Sequence, residues 1–206
     1  MQQMPDRSVA LTQRPVDLRP YLNNVGVTTI AETGSGRFNV WRNSFAAEDL
    51  PDQGERTVVE AVTFQLSNLG SEEPDNVRCD RQYIPVPAGH FDWLYVLGAG
   101  ERRVEDLVAL HFADGTVDFE PLRLTDFWAA PPAFGETLAF QTVMHYPQHV
   151  QFGVPARMWC QRVPVVRRAR LAGLRLPANA AAHIFAATLV GGLSSEPDRV
   201  GAEENS

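Results

Sequence analysis

From Arg37 to Val190 the chain is a succession of short runs in which apolar and polar residues alternate, and most runs end in a turn signal. A period of two sends successive side chains to opposite faces of a strand, so this pattern excludes a helical bundle. The runs are "RFNVW", "RTVVEAVTFQLSNL", "NVRCDRQYIPVP", "FDWLYVLG", "EDLVALHFADGTVDFEPLRLTDFW", "TLAFQTVMHY", "ARMWCQRVPVV", "LAGLRLP" and "HIFAATLV". The clearest stretch is "ALHFADGTVDFEP", in which Asp114-Gly115 joins two alternating halves as a tight hairpin. Prolines fall mainly at the ends of runs, where they remove no ladder hydrogen bond. Only "FAAEDLP" and, less clearly, "ERRVEDLV" could be helical. The pattern predicts an all-β protein, an antiparallel jelly-roll β-sandwich of about nine or ten strands. Residues 15–190 form a single domain in this reading, with residues 1–14 and 191–206 as flexible tails.

Charge narrows the function. The 206-residue chain carries 25 acidic and 18 basic residues, a net charge of −7, which argues against nucleic-acid binding. Every basic residue is arginine, so a lysine Schiff base is excluded. No apolar run approaches the ~20 residues of a spanning helix, and no membrane partner is expected. The opening "MQQMPDRSVALTQRPVDL" has no apolar core of a secretory signal, which leads to the expectation of a cytoplasmic protein. Cys79 and Cys160 share the apolar parity of their strands and are expected as buried free thiols.

The parity of each strand proposes a site. Leu94 and Val96, Leu110 and Phe112, Leu138, Phe140 and Met144, and Met158 and Cys160 are expected between the sheets. The opposite parity carries Trp93, Tyr95, His111, Gln141, His145, Arg157, Trp159 and Gln161. On one sheet, these would make a face of flat apolar rings beside directional hydrogen-bonding groups, as a sugar-like or polycyclic ligand needs. Trp159 would stack on the ligand and Arg157 would fork a carboxylate or vicinal hydroxyls. A plainer alternative places the aromatic residues under a loop such as "FWAAPPAFGE", or in a dimer face.

No nucleophile elbow, phosphate loop, dinucleotide fingerprint or zinc-protease motif is present. Should the chain be an enzyme, His111 and His145 are its candidate acid–base residues, with Arg157 on a developing oxyanion. That chemistry suits a cyclase, isomerase or lyase. His145 and His149 have helical metal-ligand spacing, but Pro147 between them opposes a helix, and no metal site is predicted.

The order of "VDLRPYLNNVGVT", "RFNVWRNSFAAEDLP", "VTFQL", "DNVRCDRQYIPVPAG", "LYVLGAG", "HFADGTVDF", "LTDFW" and "LAGLRLPANAAAHIFAATL" resembles a β-sandwich accessory domain of bacterial and fungal glycosidases, of the galactose-binding or carbohydrate-binding-module type. The resemblance implies a jelly-roll sandwich and glycan recognition. The chain departs from it at "NNVG", where Val25 stands in place of the acidic residue that such domains often carry for a structural Ca²⁺. Three readings follow: a small-molecule or glycan-binding domain with no cofactor, a stand-alone acid–base enzyme using the same pocket, and a structural partner that homodimerises through the patch.

Overall fold

The computed structural model describes residues 11–52, 54 and 56–191. Its strands are β1 (Thr12–Pro15), β2 (Val27–Thr28), β3 (Ser44–Ala46), β4 (Arg56–Val59), β5 (Val62–Gln65), β6 (Val77–Arg78) and β7 (Tyr83–Gly89). They continue as β8 (Trp93–Gly100), β9 (Val104–Phe112), β10 (Val117–Leu124), β11 (Thr137–Tyr146), β12 (His149–Pro164), β13 (Leu171–Arg175) and β14 (Ala182–Gly191). The domain starts at Thr12, inside the stretch expected to be tail. Residues 1–10 and 192–206 of the expected tails lie outside the described residues.

Two sheets make the sandwich. The larger has eight strands in the order β1-β14-β8-β12-β11-β3-β2, with β6 also on β14. The smaller has four, β10-β9-β13-β7. The β9–β10 hairpin turns at Asp114-Gly115 as expected: Gly115 has φ +85° and Asp114 accepts hydrogen bonds from the amide and hydroxyl of Thr116. Neither expected helix forms. Phe45 and Ala46 end β3, only Ala47–Asp49 make a 3₁₀ turn, and Val104–Phe112 is strand β9. In both stretches sheet pairing overrides a local preference that is only a weak prior. No helix among the described residues is long and apolar enough to cross a membrane.

The feature that places the site is that the larger sheet is buried on both faces. Leu94, Val96, Val163 and Leu189 face the smaller sheet and pack with Val108, Leu110, Phe112, Leu171 and Leu174. On the other face Leu97, Ala99, Met158, Cys160 and Val190 pack under Phe38, Phe45, Phe64 and Leu66, which come from residues 38–66. Strand β14 lies between the two cores, and all ten of its residues are buried. Its near-continuous apolar run is that of a strand covered twice. The β4–β5 hairpin belongs to this outer cover, tied down by Thr188 Oγ1 donating to the Thr63 carbonyl (2.7 Å) and by Gln13 bonding Thr63 and Ala61. Its turn places Glu60 (φ 54°) and Ala61 (φ 61°) in the left-handed region.

Candidate functional site

Strand register divides the expected face in two. Trp159 stands opposite Gly98 and Gln161 opposite Val96, so both share the face of Leu94 and Val96. Trp93 and Tyr95 lie on the reverse face, opposite Pro164 and Arg162. Trp159 is therefore not a stacking surface. It is buried with Phe127, and its indole donates to the Asp126 carbonyl at 3.2 Å. The loop-covered alternative holds for this residue. Leu138, expected in the core, is 45% exposed. A bulge between Leu138 and Phe140 puts them on opposite faces, aligned with Trp159 and Met158 respectively, and leaves Phe140 half-buried on the outer core.

The two histidines do not meet. His111 is on the outer face of the smaller sheet, while His145 is on β11 of the larger one. The Tyr83 ring stands edge-on to His111 at 5.1 Å, and its Nε2 has no hydrogen-bond partner. His145 is buried, its Nδ1 2.9 Å from Thr28 Oγ1, which is in turn 2.7 Å from Ser44 Oγ. Arg157 and Gln141 are bonded to each other through Nε and Oε1 at 3.0 Å. Arg157 also clamps the loop after Phe127 by donating from Nη1 to the carbonyls of Trp128 and Ala129. Of the expected residues, Gln141 lines a separate cleft of ≈ 460 Å³ with Asp49 and Phe152.

Trp93 and Tyr95 remain together on one face, beside a residue the sequence reading missed, while Gln161 meets Tyr95 only as a lining residue of a small cleft. Tyr95 is the shared wall of two clefts. One, of ≈ 480 Å³, is lined by Leu11, Trp93, Pro164, Val165, Val166 and Val190, with Asp92 and Arg168 also lining it. The other, of ≈ 180 Å³, is polar and lined by Glu60, Thr137, Gln161 and Arg162 among others. The Arg162 guanidinium lies 5.0 Å from the centroid of the Trp93 ring. Arg162 has the parity of Met158 and Cys160, which reads as core. Further along the strand the cover has ended, and the same parity reaches solvent. Cys160, a second wall of the polar cleft, is an inert thiol, pushed up to about 12 by burial. Both cysteines are free and buried, as expected.

A second polar cluster lies at the start of the outer cover. Asp75 is fully buried and accepts from the amides of Gly26 and Val27 and from Asn76 Nδ2. Burial drives its pKa up to about 7 against these donors. Asn76 connects it to buried His183, whose Nε2 lies 3.5 Å from Glu101 Oε1. This region does not fit the structural Ca²⁺ of the domains that the sequence resembles. The Asp75 carboxylate is spent on N–H donors, and the Val25 carbonyl accepts from the Arg37 amide. No cluster of three metal-ligating side chains occurs among the described residues.

Fold and site define an all-β sandwich domain with an aromatic and arginine-bearing cleft on its larger sheet. The chain belongs to the family of AziU2-like beta-sandwich domains, whose model matches residues 12–192. No curated protein matches the chain.

Proposed function

We propose that the domain binds a small molecule at the Trp93–Tyr95 ridge. The observation that supports this reading most is that Tyr95 joins two clefts, the larger of ≈ 480 Å³, within the usual ~300–1,000 Å³ of a ligand site. Half-buried aromatic rings beside a guanidinium offer apolar contact and directional donors together. The test is a ligand screen by NMR on the full chain, using methyl β-galactoside, glucuronate and aryl carboxylates as probes. Shifts confined to β8 and β12, and lost in a Trp93→Ala/Tyr95→Ala double variant, are expected. Shifts that persist in that variant would overturn the reading.

One observation favours a second reading, an interaction module. The outer face of the smaller sheet exposes Phe119 (65%), Leu107 (49%) and Tyr83 (39%) side by side around His111. A homodimer through this face would be split by Phe119→Asp, read as a halving of mass in light scattering. The acid–base reading loses its pair, because His111 and His145 lie on opposite sides of the inter-sheet core.

A further inference from the structure

We propose that the ligand class at this ridge is an amphipathic carboxylate: an apolar aryl or alkyl body in the larger cleft, and its single negative charge on Arg162. The inference rests on the binding reading given above.

The two clefts differ in chemistry and in size. The larger is walled mainly by Leu11, Trp93, Pro164, Val165, Val166 and Val190, and its charged lining residues Asp92 and Arg168 are paired with each other at 3.0 Å. It calls for an uncharged, apolar body. The smaller, at ≈ 180 Å³, is below the size of a whole ligand and suits a head group.

Arg162 stands at the junction. Arg162 makes no ion pair among the described residues, and of the arginines that make none it is the one that lines the polar cleft. Its guanidinium rests against the Trp93 ring instead, at 5.0 Å from the centroid, and its N–H fork makes no hydrogen bond among the described residues. A planar carboxylate matches that fork with two parallel hydrogen bonds. The acids lining the same cleft favour a monoanion over a phosphate. Glu136 is consumed by the amides of Thr125 and Phe134 and the Thr125 hydroxyl. Glu60 accepts from Thr137 Oγ1 at 3.0 Å and would repel a second negative charge.

The experiment titrates the full chain with 3-phenylpropionate, its primary amide 3-phenylpropionamide, inorganic phosphate and methyl β-galactoside, monitoring Trp93 and Tyr95 by NMR. The acid is expected to bind at least tenfold tighter than the amide. Arg162→Gln should erase that difference while leaving amide affinity and thermal unfolding unchanged. If the amide binds as tightly as the acid, or if Arg162→Gln weakens both equally, the carboxylate class is overturned and the ridge remains a binding site. The same holds if only phosphate or the galactoside shifts these residues. If no probe shifts them, the carboxylate class and the binding reading fall together.

Discussion

His183 donates from Nδ1 to the side-chain oxygen of Asn76 across 2.9 Å, and that bond fixes its tautomer. The amide nitrogen of Asn76 already donates to Asp75 and to the Asn24 carbonyl, so its oxygen must accept and Nδ1 must carry the proton. Nε2 then turns a lone pair toward Glu101 Oε1, 3.5 Å away. Burial holds the imidazole below its ordinary pKa, and the Glu101 carboxylate works against that depression. In Glu101→Gln the His183 midpoint is therefore expected to fall further. An NMR titration of its ring protons measures this, and an unchanged midpoint would show that Glu101 does not hold the proton.

Acid should weaken the fold through two buried imidazoles. Burial lowers His145 and His183 below 6.5, so the unfolded chain takes up protons before the folded one. Their stability contribution is present above about 6.5 and is lost as the pH falls through the folded values. Urea midpoints should accordingly drop with falling pH below about 6.5. His145→Gln, which keeps a bond to Thr28, should flatten that slope.

Asp75 acts with the opposite sign. Its carboxyl is raised from 3.8 to about 7, so the unfolded chain releases its proton first as pH rises. Its contribution is full below 3.8 and declines up to about pH 7. Asp75→Asn puts an N–H group among N–H donors and should cost about 1–3 kcal/mol. That cost should be larger at pH 5 than at pH 8 in paired urea curves.

Trp159 and Trp93 should separate stability from binding. Trp159→Ala removes a buried ring and the anchor of the Asp126 carbonyl, and should cost about 3–5 kcal/mol. Trp93→Ala empties a half-buried position and should cost less, while abolishing ligand-induced shifts. Denaturation and NMR on both variants give the comparison.

The hairpin turn at Glu60-Ala61 should be improvable. Both residues hold positive φ in a two-residue turn, where Asn-Gly is the easy choice. Glu60→Asn/Ala61→Gly should raise stability by about 1 kcal/mol, since left-handed backbone costs an ordinary residue about that much. Thermal unfolding against the parent chain measures it.

Much of the sandwich was legible because it is local. Asp114-Gly115 carries its own turn geometry, and Leu94, Val96, Leu110 and Phe112 are buried between the sheets as alternation predicts, whereas Met144, Met158 and Cys160, expected there too, are buried in the outer core on the other face. What alternation does not carry is which of two faces a strand's parity meets. Alternation puts Trp159 and Trp93 on one face because nothing in either strand reveals that Trp159 pairs with Gly98 and not with Leu97. One slip of register exchanges every side chain between faces. The bulge after Leu138 has the same effect within one strand. Nor does any single run reveal that residues 38–66 fold back over the sheet, so that an apparently outer parity becomes a second core. Arg162 went unseen for the same reason: its parity is that of the core, and only the edge of that cover frees it.

The strained turn has a consequence for how such domains diverge. Glu60 reaches the polar cleft from the β4–β5 hairpin of the outer cover, whereas Trp93, Tyr95 and Arg162 stand on β8 and β12 of the larger sheet. Selection for thermal hardiness alone would exchange Glu60 for asparagine and leave the scaffold untouched. On the proposed binding reading, ligand preference would change through this one turn while the architecture holds still, and a variant redesigned only for robustness would lose its discrimination first.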